Sequence, residues 1–123
     1  SNQNIQDEYY NNLIDYFKKY ISENRVEVHR KTSDEFFSKN TNFYDLIYID
    51  GNHLFEFVKR DIFNSLRFIK DDGIIVLDDY ALKGWWNDGI TKAVHFYEKE
   101  QNIRVIKKHN IFEYHHQCII KKI

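Results

Sequence analysis

Three aspartates stand directly after two apolar runs. Tyr44 to Ile49 leads into Asp50-Gly51-Asn52-His53, and Ile74 to Leu77 leads into Asp78-Asp79-Tyr80. If the two runs are neighbouring strands, three carboxylates converge on one rim. Like charges so placed repel unless a cation sits among them or water screens them. An all-oxygen set of Asp50, Asp78 and Asp79 suits a hard cation such as Mg²⁺, Ca²⁺ or Mn²⁺ rather than zinc. A histidine such as His53 can act as a base near neutrality, whereas Asn52 cannot take a proton. Each residue also has a plain structural use. Aspartate after a strand caps turns, and Asn52 or His53 suits the start of a helix. The double convergence raises the chemical reading for Asp50 and Asp79, while Asp78 serves equally as a supporting carboxylate.

The surrounding pattern is that of alternating helices and strands. Asp7 is expected to cap a first helix carrying Tyr10, Leu13, Ile14, Phe17 and Ile21, with Asn24 as its left-handed stop. Val26 to Val28 suits a short strand, and Ser33 a cap for a brief helix with Phe36 and Phe37. Tyr44 to Ile49 shows almost no polar alternation, the mark of a parallel strand buried on both faces. Leu54, Val58, Ile62, Leu66 and Ile69 form a helical stripe, which Asp72-Gly73 ends. Ile90, Ala93, Val94 and Tyr97 mark another helix, and Ile103 to Ile106 another strand. Phe112 to Ile120 is a last extended stretch, expected to run antiparallel at an edge. The order predicts an α/β fold, part of a doubly wound, mostly parallel sheet with a C-terminal antiparallel edge strand. Ligands of such sheets bind beyond the carboxyl ends of the strands.

Two segments carry a family resemblance. Tyr44-Asp-Leu-Ile-Tyr-Ile-Asp-Gly-Asn-His53 resembles the fourth-strand motif of class I S-adenosylmethionine-dependent methyltransferases. Phe68-Ile-Lys-Asp-Asp-Gly-Ile-Ile-Val-Leu-Asp-Asp-Tyr80 resembles their fifth-strand motif, and Gly89-Ile-Thr-Lys-Ala-Val94 the helix after it. The nearest branch is similar to the metal-dependent sugar and macrolide O-methyltransferases. The resemblance implies a Rossmann-like sheet and methyl transfer from a sulfonium to a hydroxyl of a small molecule or sugar. It implies a divalent ion such as Mg²⁺ on Asp50, Asp78 and Asp79, which would lower the pKa of the acceptor hydroxyl. It places cofactor contacts at Asp50 and Gly51, and at Thr32, Ser33 and Asp34, where side chains meet the adenine. Ser33 as a helix cap is the plainer reading of that last segment. Some relatives carry an acid where Asn52 stands, so His53 is the candidate base here, with Asn52 beside it. Tyr80, which ends the second acidic motif, and Trp85 and Trp86 beyond it suit a substrate pocket wall, and the two tryptophans equally suit closing the loop against the core.

The chain departs from the family at its start. The family's glycine-rich loop after the first strand has no counterpart, since no glycine precedes Gly51. The sequence also holds no Met, and Ser1-Asn2 reads as a scar of tag cleavage. The expectation is a single domain over residues 1–123, the C-terminal portion of a methyltransferase fold, binding the cofactor weakly or not at all by itself.

Composition sets the remaining bounds. With 123 residues, 42% of them hydrophobic and 17% aromatic, the chain can bury a core. A net charge of −1 gives no field for nucleic acid or anionic membrane. One cysteine, Cys118, makes no intrachain disulfide and suits a small core residue, and a cytoplasmic location is expected. A different class of function also fits, a non-catalytic remnant that oligomerises through an exposed sheet edge. A phospho-receiver domain gathers three carboxylates too, but places its acidic pair before its single aspartate, the reverse of Asp50 and Asp78-Asp79.

Overall fold

The computed structural model describes residues 1–81, 87–112 and 115–123. The chain divides into two compact units, Ser1–Phe36 and Phe37–Ile123.

The first unit opens with α1 (Asn2–Tyr16), capped by the Ser1 hydroxyl, which accepts from the Asn4 N–H at 3.4 Å. Asp7 therefore lies inside α1 rather than at its start. Its carboxylate instead accepts from the Arg30 guanidinium, which holds it below the usual carboxylate range. The short α2 (Lys18–Ser22) follows, and Asn24 takes the expected left-handed conformation with φ 57°. Val26 to Val28 is not a strand. Among the described residues no strand pairs with it, and the Val26 N–H bonds back to Tyr20. Next comes α3 (Ser33–Lys39). Its cap is Thr32, not Ser33. Thr32 Oγ1 accepts from the Glu35 N–H at 3.2 Å, while Glu35 accepts from the Thr32 N–H at 3.1 Å. This reciprocal pair satisfies two otherwise orphaned amides.

The second unit holds β1 (Tyr44–Ile49), α4 (Phe55–Phe68), β2 (Ile69–Leu77), α5 (Gly89–Lys99), β3 (Ile103–Phe112) and β4 (His115–Lys122). They build a mixed four-stranded sheet in the order β1-β2-β4-β3. α4 carries the crossover between the parallel strands β1 and β2, and β4 runs antiparallel to both its neighbours. The C-terminal strand is thus antiparallel, as expected, but it is not the edge. Its Cys118 and Ile120 are fully buried, whereas Arg104, Lys107, Lys108 and Asn110 of β3 are exposed. Charge suits an edge and apolar residues suit the interior, so the hairpin folds with β4 inward.

One core spans the unit. Val58 and Ile62 of α4 and Ile90, Ala93, Val94 and Tyr97 of α5 pack with Ile75 and Leu77 of β2 and with Cys118 and Ile120 of β4. Burying each such large apolar side chain contributes about 1.5–3 kcal/mol. β1 departs from the expectation of burial on both faces. It is a sheet edge, and Leu46 and Tyr48 are 53% and 47% exposed. β2 also begins earlier than Asp72-Gly73 suggested, at Ile69, and its register with β1 shifts between Tyr44 and Leu46. Gly73 makes that irregularity possible, because a Cβ there would lie 2.7 Å from Ile69 and 2.9 Å from the Asp45 carbonyl. Among the described residues, no helix is long and apolar enough to cross a membrane.

Candidate functional site

β1 and β2 end level with each other. Ile49 pairs with Leu77, and the Asp78 N–H donates to the Ile49 carbonyl at 3.0 Å. Asp50 and Asp78 therefore leave the sheet side by side, which is the convergence the spacing implied.

The loop after β1 is fixed from two sides. Asn52 Oδ1 accepts from the Leu54 N–H at 2.9 Å, so its side chain shapes the turn into α4. The start of α5 presses on the same loop. A Cβ at Gly89 would lie 2.1 Å from the His53 carbonyl oxygen and 2.6 Å from the Phe55 nitrogen. Only a glycine lets the helix approach that closely.

The loop after β2 is bent. Asp79 has φ 52°, and its N–H donates to Asp78 Oδ1 at 2.9 Å. The left-handed region costs an L-residue about 1–2 kcal/mol. The bend brings Asp79 Oδ2 to 3.1 Å from His53 Nε2, with both side chains about a fifth exposed, at 21% and 19%. Asp50 completes the group, since one ligating atom from each of Asp50, His53 and Asp79 lies within 4.8 Å of the others. The Asp50 carboxyl is pushed above its ordinary range, first by burial and then by Asp78 and Asp79, with His53 opposing.

Asp78 plays a different part from its neighbour. Its carboxylate bonds the Asp79 amide and the Tyr48 phenol, and Gln117 Nε2 donates to that phenol at 2.8 Å. Burial and this carboxylate both raise the Tyr48 pKa. β1 and β4 thus reach across the end of β2 to anchor Asp78, and Asp78 in turn holds the bend at Asp79.

The donor set bears on a metal. The 3.1 Å separation of His53 Nε2 and Asp79 Oδ2 is that of an ion pair and equally that of two cis ligands about 2.1 Å from an octahedral ion. Mg²⁺ favours oxygen donors alone, and an imidazole among carboxylates suits Mn²⁺ or another transition ion better.

The other sequence candidates fall in several places. Gly51 has an ordinary backbone, and an added Cβ would make only a 3.5 Å contact with Asp61. Tyr80 is 9% exposed within the core, its N–H bonded to the His116 carbonyl and its ring under Lys108. Trp85 and Trp86 lie outside the described residues. Thr32, Ser33 and Asp34 belong to the first unit, Thr32 in the capping pair and the other two opening α3. Cys118 is buried, and desolvation pushes its thiol up to about 12, which suits the core reading. The sequence reading missed the pairing of His53 with Asp79. The signal lay in Asp79 itself, because aspartate tolerates the left-handed bend that turns its carboxylate toward β1.

The two strand-end segments and the sheet lie within the reach of known proteins. A family model described as a methyltransferase domain matches residues 4–80. The chain belongs to this methyltransferase family. Its fold is that of solved methyltransferases. An SAH-bound methyltransferase from Podospora anserina superposes with a TM-score of 0.68 at 19% identity, covering 87% of this chain and 53% of that one. The O-methyltransferase from Bacillus cereus in complex with SAH gives 0.67 at 12% identity, over 89% and 56%. Precorrin-6y C5,15-methyltransferase from Geobacter metallireducens gives 0.62 at 22% identity, over 93% and 61%. The chain therefore spans little more than half the length of these structures. A search of curated protein sequences finds no match. In the methyltransferase fold, Asp50, His53 and Asp79 stand at the carboxyl ends of two parallel strands, where α/β sheets bind ligands.

Proposed function

We propose that the chain is the acceptor-side portion of an S-adenosylmethionine-dependent O-methyltransferase acting on a small-molecule or sugar hydroxyl. The observation that carries this is the approach of Asp79 to His53 at 3.1 Å beside Asp50. The family match and the SAH named for two structural neighbours support the cofactor.

In the proposed reaction the acceptor oxygen attacks the sulfonium methyl. The O–C bond forms, the C–S bond breaks with its electron pair passing to sulfur, and the hydroxyl proton goes to His53. Asp79 orients the imidazole and stabilises its positive form, as a carboxylate does for a histidine base. Asp50 adds negative charge on the same side. A divalent ion held by Asp50, His53 and Asp79 would take the place of that base, because a metal-bound imidazole takes no proton; it would instead supply Lewis-acid lowering of the hydroxyl pKa. Asn52 shapes the loop and takes no proton.

The test is methyl transfer from labelled S-adenosylmethionine to a panel of hydroxyl acceptors, with calorimetric titration of S-adenosylhomocysteine beside it. Asp79→Asn and His53→Ala should lower kcat about 10²–10⁴-fold, the scale of a general base. Unchanged turnover in both variants would remove the base from the scheme. No binding of S-adenosylhomocysteine by the folded protein would favour the second reading, an assembly module that no longer performs the reaction.

A further inference from the structure

The outward face of α4 sets exposed aromatic rings among charges of both signs. Its inward face buries Val58, Ile62 and Ser65. At about 100° per residue, Glu56, Arg60, Phe63 and Arg67 fall within roughly 60° of one another on the opposite side. All four are exposed, Phe63 at 54%, and Phe57 flanks them at 47%. The arginines lie along the aromatic rings, with Arg60 5.9 Å from the Phe57 centroid and Arg67 6.0 Å from that of Phe63.

The stripe is complementary to itself when reversed. Place a two-fold axis between Asp61 and Ile62 and run a second α4 antiparallel. Glu56 then faces Arg67 of the second copy, each about 8 Å along the helix from the axis. Arg60 faces Phe63 of the second copy. Because the interface is isologous, each contact occurs twice. Two opposite-charge pairs close the ends, and two cation–π contacts fill the middle.

We propose that this face of α4 is a homodimer interface, with a second copy of this chain as its occupant. The charge complementarity selects an antiparallel second α4 over a partner of one sign, which would meet both charges. A single helix pair buries less than the roughly 1,200 Å² of a stable complex, so the dimer is reversible. The proposal is independent of the catalytic reading, since none of these side chains belongs to the acidic rim.

The test is sedimentation equilibrium of the protein over a wide concentration range. Wild type should dimerise, more weakly in high salt. Glu56→Arg should weaken the dimer about tenfold or more by setting like charges face to face, and so should Arg67→Glu. The double variant Glu56→Arg/Arg67→Glu restores both pairs and should recover the wild-type constant within about threefold. The residues are exposed, so circular dichroism should show all variants folded. A wild type that stays monomeric overturns the proposal. So does a dimer indifferent to the single reversals, which would point to pairing at the β1 edge instead.

Discussion

Gly89 and His53 meet backbone to backbone: a Cβ on the glycine would stand 2.1 Å from the histidine carbonyl oxygen. The first turn of α5 is therefore a wall of the loop that carries the site. Gly89→Ala must push that wall away from residues 53–55 or unseat α5. Overpacking of this kind costs about 1–3 kcal/mol, and backbone on both sides leaves little room to yield. The expected result is a lower Tm, with altered backbone amide shifts at His53 to Phe55 by NMR. An unshifted Tm would contradict the close approach.

Asp50 carries a stability prediction with a definite sign. Burial, Asp78 and Asp79 raise its folded pKa above the ordinary value, so charging it disfavours the fold. Its stabilising contribution is present below the unfolded pKa and is lost as pH rises through the folded value. At neutral pH, Asp50→Asn should therefore stabilise the metal-free protein. Partial exposure limits the gain to a few tenths of a kcal/mol, roughly 1–2 °C in Tm. The advantage should vanish in acid. A destabilised Asp50→Asn at pH 7 in chelator would show that the carboxylate has a compensating partner.

Cys118 should be inert in the native state. Its thiol is fully buried, with a pKa of about 12, and only the thiolate reacts. Iodoacetamide at pH 8 should leave the folded protein unmodified by mass and label it fully in denaturant. Rapid native labelling would mean that β4 opens often.

Ile62 is fully buried where α4 meets the sheet. Ile62→Ala should cost about 2–5 kcal/mol in denaturant unfolding. Ile106→Ala, on a side chain 49% exposed on β3, should cost far less. Equal losses would mean that the core is not where the packing places it.

The strands were legible where chemistry and hydrophobicity coincide. Tyr44 to Ile49, apolar but for Asp45, and the continuous run Ile74 to Leu77 are each ended by an acid, and β1 keeps those bounds. Burial was harder to read. An apolar run reports what a strand is suited to, and Leu46 and Tyr48 are exposed because β1 forms a sheet edge. The helix start at Asp7 failed because α1 begins at Asn2 on the Ser1 cap, which leaves the Asp7 carboxylate free of capping and paired with Arg30 across 23 residues. Within the site, the spacing brought Asp50, Asp78 and Asp79 to one rim. It favoured Asp79 over Asp78 for chemistry but could not show that Asp78 is tied to Tyr48 or that Asp79 turns to His53, because a single backbone angle at Asp79 sets that arrangement.

The insertion of β4 between β2 and β3 makes the acidic rim a late event in the life of the molecule. Ile75 pairs with Ile120, and Leu77 with Cys118, so β2 has one flank bare until residues some forty positions downstream arrive. β2, which leads into Asp78, is synthesised before β4, so its β4-facing flank has no strand partner until that segment follows. Gln117, which steadies Tyr48, comes with that same late segment. Loss of a few residues around 117–120 would therefore unmake the rim itself as well as the strand that supplies them.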